Sequence, residues 1–189
     1  MPEVYFTSDL HLGHRRIIEY SHRPFENIEE MDEMLINNWN SVVQPGDRIY
    51  CLGDFALCDV ERATQLAKRL NGQKYLIFGN HDKRTRKHQP FVSQWIWARD
   101  FEQIEVDGQK ITLCHFALRT WNQSHRGAWS LYGHSHGSLK DEPHLLSMDV
   151  GVDPNGYFPV SFEQVKAHMA QKTWKPIDHH KNYREEDAE

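Results

Sequence analysis

The sequence has no apolar run that approaches the roughly 18 residues of a membrane-spanning helix, so we expect no membrane partner. Its amino terminus, MPEVYFTSDLH, also lacks the basic start and the long apolar stretch of a signal peptide. These absences favour a cytoplasmic location.

Cysteine is scarce, with 3 residues in a chain of 189, and no pair has the CxxC spacing that is typical of zinc or redox sites. Cys51 and Cys114 lie in the apolar runs IYCLG and ITLCH, which indicates reduced thiols in the core. The chain must therefore be stabilised by a packed core, for which its length and its 39% of hydrophobic residues suffice.

Excess positive charge is absent as well, because 27 Asp and Glu residues outnumber 22 Lys and Arg residues and give a net charge of -5. A surface for extended nucleic acid is therefore not expected. Histidine, in contrast, is abundant at 13 residues, and its specialised uses are metal binding and proton transfer.

Five short apolar runs, VYFTS, RIYCLG, KYLIFG, ITLC and SLYG, each end at a small residue that polar side chains follow closely. Each run predicts a strand whose carboxyl end presents those side chains. The polar residues that follow the runs are Asp9 and His11, Asp54, Asn80 and His81, His115, and His134 and His136.

Segments of helical character alternate with the first runs, namely RRIIEYSH, NIEEMDEMLINNWNSVV and DVERATQLAKRLNG. This alternation predicts an α/β fold with parallel strands in the first half, in which ligands bind at the carboxyl ends of the strands. Asp107 and Gly108 lie between two alternating runs and predict a hairpin, so we expect the second half to be more antiparallel. We expect one domain over residues 1–175 and a frayed polar tail over residues 176–189.

The chemistry of the polar side chains favours a pair of divalent metal ions. Asp9 and His11 are separated by one residue, as are His134 and His136, so each pair faces one way on an extended backbone. Carboxylate, imidazole and amide donors without a thiolate suit borderline or hard ions, and they exceed the needs of one tetrahedral zinc site. The candidate metal ligands are Asp9, His11, Asp54, Asn80, His115, His134 and His136.

The motifs FTSDLHLGH, LGD, FGNHD and YGHSHG, with His115 before the last of them, follow one another in the order of a known family. The chain resembles the calcineurin-like metallophosphoesterases, and RPF and VGVDPNGYFPVSFEQV make it most similar to their compact bacterial and phage-type members. The resemblance implies a four-layer α/β/β/α fold, a mixed β-sandwich flanked by helices, with a metal site at the carboxyl ends of strands. The segment FALCD departs from the family pattern, because no acidic or polar residue closely follows Asp54.

The resemblance also implies how the ligands divide between two ions, of which Mn²⁺ is the expected metal and Fe, Zn, Ni or Co the alternatives. The residues implied for the first ion are Asp9, His11, Asp54 and His136. The residues implied for the second ion are Asp54, Asn80, His115 and His134. Asp54 would then bridge the two ions.

A hydrolytic mechanism is expected from such a centre. Two ions about 3.5 to 4 Å apart can hold a hydroxide between them for attack on phosphorus. His81 is adjacent to Asn80 but free of metal, so it is the candidate general acid for the leaving oxygen. Asp82 is expected to orient the His81 imidazole or to stabilise its charge.

Candidate substrate contacts are His14, Arg119, Trp121 and Arg126. Guanidinium groups suit phosphate, and a Trp suits a base or an aryl ring. For His14 a structural or surface role is the alternative. The basic run from Lys83 to His88 directly follows the central motif, and it either attracts phosphate or forms a solvated face.

The sequence therefore predicts a metal-dependent phosphoric ester hydrolase, either a phosphatase or a phosphodiesterase, with a small and nucleotide-like substrate. The alternatives are a catalytically idle metal-binding scaffold for a protein partner, a nuclease, and a phosphoprotein phosphatase. A scaffold could lose its metal ligands or its general acid, whereas this chain retains all of them. A nuclease would call for a long basic groove or further domains.

Overall fold

Two β-sheets form the framework of the computed structural model, which describes residues 2–177. The first sheet contains β1 (Val4–Thr7), β2 (Arg48–Cys51), β3 (Gln73–Ile77), β4 (Trp97–Arg99) and β9 (Val160–Ser161), in the spatial order β4-β3-β2-β1-β9. The second sheet contains β5 (Phe101–Val106), β6 (Gln109–Cys114), β7 (Trp129–Tyr132) and β8 (Ser147–Asp149), in that spatial order.

Helices flank the sheets, which confirms the predicted mixed α/β fold. They are α1 (Arg15–Tyr20), α2 (Ile28–Val42), α3 (Val60–Lys68), α4 (Gln89–Val92) and α5 (Phe162–Ala170). Polar caps set where the longer helices begin: the side chain of Asn27 accepts a hydrogen bond from the Glu30 amide, and Asp59 does the same for Arg62. The helical segments predicted from the sequence thus start at residues that satisfy free backbone amides.

The alternating side chains of the strands supply two separate cores. In β1, Tyr5 packs in a core that also contains Leu35 and Trp39 of α2. The next residue, Phe6, points to the other face and packs in a core that contains Leu113 of β6. The first core joins helices to the first sheet, and the second core joins the two sheets.

Strand direction agrees with the sequence in the first half and agrees in part in the second. Strands β1 to β4 are parallel, and β5 and β6 form the predicted hairpin around Asp107 and Gly108. The second half is more antiparallel than the first, as expected, because β5 pairs antiparallel with β6 and β9 pairs antiparallel with β1, but β6, β7 and β8 pair in parallel. Long crossover connections, over residues 115–128 and 133–146, return the chain to the opposite end before each new strand.

Within residues 2–177, no helix has the length and the apolar composition that crossing a membrane requires. Residues 178–189, most of the tail that was predicted to fray, lie outside the described residues.

Candidate metal centre

The predicted metal ligands meet where the carboxyl ends of β1, β2 and β3 approach those of β6 and β7. Parallel strands end at the same edge of a sheet, so each sheet delivers several polar side chains to one place. The residues delivered are Asp9 and His11 after β1, Asp54 after β2, Asn80 and His81 after β3, His115 after β6, and His134 and His136 after β7. The predicted ligands are therefore neighbours in space.

Glycine is required where the strand ends approach one another. A Cβ atom on Gly79 would lie 2.2 Å from Oδ1 of Asp54 and 2.5 Å from its backbone nitrogen. A Cβ atom on Gly133 would lie 2.3 Å from Oδ2 of Asp9. The glycines that end the predicted strands therefore leave the space into which the carboxylates of the neighbouring strands fit.

Five of the predicted ligands have a positive φ, a conformation that residues other than glycine rarely adopt. The angles are +59° for Asp9, +52° for His11, +52° for Asp54, +67° for His134 and +49° for His136. Such backbone costs on the order of 1–3 kcal/mol per residue and persists only where its surroundings impose it. Hydrogen bonds from the Asp9 amide to Gly53 (3.0 Å) and from the His11 amide to Asp54 (2.9 Å) do so here. This concentration of strain is typical of a functional site.

Asp9, His11 and His136 form the first group of donors, with one donor atom of each within 4.8 Å of the others. Nε2 of His11 lies 4.0 Å from Oδ1 of Asp9, and Nε2 of His136 lies 3.9 Å from the same oxygen. Oδ1 of Asp9 and Nε2 of His11 are buried and have no hydrogen-bond partner among the described residues. Leaving such atoms unpaired costs about 1–3 kcal/mol each, and one cation would satisfy both. The first group therefore fits a metal ion.

Burial also sets the charge states in the first group. It raises the pKa of Asp9 to about 6, and it lowers the pKa of His11 well below its usual value. A neutral imidazole is the form that binds a metal ion. A cation beside Asp9 would favour the ionised carboxylate.

Asp54, His115 and His134 form the second group, again with donor atoms within 4.8 Å of one another. Nε2 of His115 lies 3.5 Å from Oδ2 of Asp54 and 3.0 Å from Oδ1 of Asn80. Nδ1 of His115 lies 2.7 Å from the carbonyl oxygen of Leu52, and because a carbonyl only accepts, Nδ1 carries a proton. Nε2 therefore faces Asp54 and Asn80 as the nitrogen that could bind a metal ion.

The carboxylate of Asp54 lies between the two groups. Its Oδ2 atom is 3.6 Å from Nε2 of His11 in the first group and 3.5 Å from Nε2 of His115 in the second. Its Oδ1 atom accepts a hydrogen bond of 2.8 Å from the backbone amide of His81. Burial acts to raise the pKa of Asp54, but His115 and the His81 amide lower it to about 2. Asp54 is therefore an ionised carboxylate that could contact two ions.

Asp82 is fully buried and does not support the imidazole of His81. Its carboxylate accepts hydrogen bonds from the backbone amides of Gly79 and Asp54, both at 2.8 Å, and of Phe55 at 3.2 Å. Within residues 2–177, no hydrogen bond or ion pair joins it to the His81 ring. The predicted role of Asp82 is therefore wrong, because backbone amides occupy its carboxylate. Asp82 instead ties the end of β3 to the end of β2.

His81 lies at the open side of the centre. Its side chain is 43% exposed, and its Nε2 atom is 4.0 Å from Oδ2 of Asp54. Its ring centroid is 5.4 Å from that of His11. The imidazole belongs to neither group of donors, so it is free to contact a molecule bound at the centre.

An open cleft of about 590 Å³ adjoins the centre, and its walls include His14, Tyr20 and His81. The ring centroid of His14 is 6.4 Å from that of His81 and 6.4 Å from that of Tyr20. His14, a candidate substrate contact from the sequence, thus lines the cleft. Tyr20, which is 65% exposed, was not singled out by sequence.

The other predicted substrate residues do not line this cleft. Trp121 is buried in the core between the sheets, and its Nε1 donates to the Ala128 carbonyl at 2.8 Å, so its predicted stacking role is wrong. Arg119 lines a separate small pocket beside Trp121, and Arg126 ends a short 3₁₀ turn. The residues after His115 enter the crossover to β7, so closeness to that ligand in sequence does not place them at the cleft.

The basic run from Lys83 to His88 forms a turn after the central motif. Arg86 pairs with Asp100, and its guanidinium carbon lies 4.6 Å from the centroid of the Phe78 ring. Lys83 is exposed to solvent. A phosphate-attracting role for this run stays a prediction.

Sequence reasoning missed two residues that lie behind the centre. Nε of Arg23 is 2.8 Å from Oδ1 of Asp153, and Oδ2 of Asp153 accepts a hydrogen bond of 2.7 Å from Nδ1 of His136. Both residues belong to RPF and VGVDPNGYF, the segments that carry the resemblance to compact family members, and that was the signal available. Phe116 was also missed; it is 47% exposed, and its ring centroid is 4.7 Å from that of His134.

Comparison with known proteins agrees with the fold and the site. The sequence model of the calcineurin-like phosphoesterase superfamily domain matches residues 3–147. The chain is 37% identical over 172 residues to MJ1445 of Methanocaldococcus jannaschii, an uncharacterized protein, with 87% of this chain and 90% of that protein covered. It is 36% identical over 188 residues to the gene 66 protein of Mycobacterium phage L5, with 82% of this chain and 89% of that protein covered.

A solved structure shows the same fold. The protein of unknown function AQ665 from Aquifex aeolicus superposes with a TM-score of 0.70 at 24% identity, covering 89% of this chain and 100% of that chain. Together with the two groups of side chains that could hold metal ions, the family match defines the chain as a metal-dependent phosphoric ester hydrolase. The chain belongs to the calcineurin-like phosphoesterase superfamily, as its motifs indicate.

Replacing Gly79 by Ala should destabilise the protein, because the new Cβ would clash with both the side chain and the backbone of Asp54. Overpacking of this kind costs about 1–3 kcal/mol or more. Gly46→Ala is the matched control, because a Cβ at Gly46 has nothing within 4 Å. Urea unfolding without added metal measures the free energy of unfolding of each variant. Similar values for Gly79→Ala and Gly46→Ala would contradict the role assigned to Gly79.

Proposed function

We propose that this chain hydrolyses a small phosphomonoester or phosphodiester with the help of two divalent ions, and that Mn²⁺ is the metal. The position of Asp54 carries the proposal, because one of its oxygens lies 3.6 Å from a donor of the first group and 3.5 Å from a donor of the second. A catalytically idle metal-binding scaffold could keep the same donors, but it would have no use for His81, an exposed imidazole beside Asp54 that belongs to neither group of donors. The enzyme is therefore the better interpretation.

The donors divide between the two ions according to the groups in which they lie. The proposed ligands of the first ion are Asp9, His11, Asp54 and His136. The proposed ligands of the second ion are Asp54, Asn80, His115 and His134. Ions held there supply Lewis-acid charge for the phosphoryl oxygens and activate water as the nucleophile. Imidazole and oxygen donors without a thiolate suit Mn²⁺ better than a thiophilic metal.

His81 is the residue that we assign to the leaving group. An alkoxide is a poor leaving group unless a proton reaches it, and a positioned imidazole can deliver that proton. The His81 side chain is 43% exposed and 4.0 Å from Asp54, and it is not needed as a metal ligand. The hydrogen bond from its backbone amide to Oδ1 of Asp54 holds it beside the shared carboxylate.

The walls of the cleft favour a nucleotide-like substrate. The ring centroid of His14 is 6.4 Å from that of His81 and 6.4 Å from that of Tyr20, and all three rings line the cleft. Tyr20 offers an exposed aromatic ring, and such rings stack on bases of any sequence. A nucleoside leaving group would thus place its oxygen at His81 and its base at Tyr20.

Replacing His81 by Ala should leave both ions bound but slow the hydrolysis of esters with poor leaving groups. General-acid assistance is typically worth ~10²- to 10⁴-fold, and only a leaving group that needs the proton benefits from it. We expect a loss of that size in kcat/KM for a ribose or alkyl ester. A nitrophenyl ester with a matching phosphate group should lose little. Steady-state kinetics at measured metal content check this.

His144→Ala is the matched control, because His144 is an exposed histidine beside Thr173 that does not line the cleft. It should leave kcat/KM for both esters unchanged. If His81→Ala slowed both esters equally with its metal content intact, the general-acid role would be wrong. If the metal-loaded natural protein hydrolysed neither ester, the proposed function itself would be wrong.

Replacing Tyr20 by Ala should raise the KM for a nucleoside phosphate ester. Stacking on an aromatic side chain is worth about 1–3 kcal/mol per base, which corresponds to roughly a 5- to 150-fold loss of affinity. Tyr20→Phe keeps the ring and should bind almost as well as the natural protein. A glycerol phosphate ester has no base, so its KM should not change. Equal effects of Tyr20→Ala on both substrates would contradict stacking.

A further inference from the structure

An arginine that takes no part in the proposed reaction is buried behind the first group of donors. Arg23 is 4% exposed, and its guanidinium is hydrogen-bonded on every side. Both Nε and Nη2 donate to Asp153, each at 2.8 Å, in a two-point pair. A buried charge is costly unless it is paired, so this ion pair is what makes the burial of Arg23 tolerable.

Asp153 links Arg23 to His136, one of the two histidines of the first group. Oδ2 of Asp153 accepts a hydrogen bond of 2.7 Å from Nδ1 of His136, so that nitrogen carries the proton. Nε2 of His136 is thereby free and faces Oδ1 of Asp9 at 3.9 Å. A carboxylate behind a histidine fixes both the tautomer and the orientation of a metal-binding ring.

Arg23 also holds the backbone that carries the other two donors. Nη2 donates to the carbonyl oxygen of Asp9 at 2.7 Å, and Nη1 donates to that of Leu10 at 2.9 Å. Asp9 and His11, on either side of Leu10, are in the strained conformation with φ of +59° and +52°. The guanidinium therefore bonds directly to Asp9, bonds to Leu10 next to His11, and is linked to His136 through Asp153.

We infer that Arg23 is a positioning residue that assembles the first metal site and, among the described residues, makes no hydrogen bond to the donors of the second. The second group has supports of its own: the Leu52 carbonyl holds His115, and the His81 amide holds Asp54. This inference rests on the proposed two-ion centre. It requires an arginine, because only a planar guanidinium can bond to a carboxylate at two points and to two carbonyls at once.

The test is a calorimetric titration of metal-free protein with Mn²⁺. It compares the natural chain with Arg23→Lys. Lysine keeps the positive charge but lacks the planar guanidinium that bonds to the carboxylate at two points. We expect two sites in the natural chain. In Arg23→Lys one site should weaken about 10- to 100-fold, as is typical when the outer partner of a metal ligand is lost. The other site should keep its affinity.

Reference variants identify which site is lost. His136→Ala removes a donor of the first group and His134→Ala a donor of the second, so Arg23→Lys should resemble the former. Adding Arg23→Lys to His136→Ala should weaken binding by less than the product of the two separate effects, because both act on one site. Asp153→Asn keeps an acceptor for His136 but loses the charge pair, and it should weaken the same site.

Arg62→Lys is the control for a general loss of an ion pair. Arg62 also pairs with a buried carboxylate, Asp32, at 2.8 Å, but neither residue contacts a donor of the centre. It should leave both affinities unchanged. Cooperative thermal unfolding of each metal-free variant shows that the variant is folded, and Asp153→Asn takes the place of Arg23→Lys should the latter not fold.

Equal weakening of both sites in a folded Arg23→Lys or Asp153→Asn variant, or no weakening at all, would overturn the role of Arg23. Two sites in the natural chain would still stand in that case, and the proposed function with them. A natural chain that bound no pair of ions would overturn the proposed function and, with it, this inference.

Discussion

The close approach of two sets of strand ends is the constraint on which the rest of the structure depends. Three parallel strands of one sheet and two of the other end at the same place, where Gly79 and Gly133 allow contact with the carboxylates of Asp54 and Asp9. This contact places Asp54 between two groups of donors. A side chain at either glycine would push the carboxylates away and separate the groups.

The centre is held in a state that is unfavourable without a cation. Strained backbone costs on the order of 1–3 kcal/mol per residue, and buried donors without partners add a similar cost each. Asp82 and Arg23 offset part of this cost, because Asp82 accepts hydrogen bonds from amides just after β2 and β3, and Arg23 donates to carbonyls just after β1. Metal binding should therefore contribute to the free energy of folding as well as to catalysis.

Sequence reasoning succeeded where the signal is local. A short apolar run, a small residue and a polar side chain predict a strand end, and the predicted ligands therefore come together as expected. It failed where the outcome depends on distant partners. The carboxylate of Asp82 bonds to amides of Asp54 and Phe55, which are separated from it by 28 and 27 positions, so its neighbour His81 was the wrong partner. Arg23 and Asp153 are 130 positions apart, and no local pattern joins them. The direction of β7 and β8 depends on crossover loops that show no regular periodicity.

The number of Mn²⁺ ions bound per chain tests the shared position of Asp54 most directly. Equilibrium dialysis at saturating Mn²⁺, followed by elemental analysis, should give two ions per chain for the natural protein. In Asp54→Asn both ions should be lost at an Mn²⁺ concentration that still saturates the natural protein, because the one carboxylate of Asp54 lies between both groups. One ion per chain in the natural protein, or the loss of a single ion in Asp54→Asn, would contradict a centre in which two ions share Asp54.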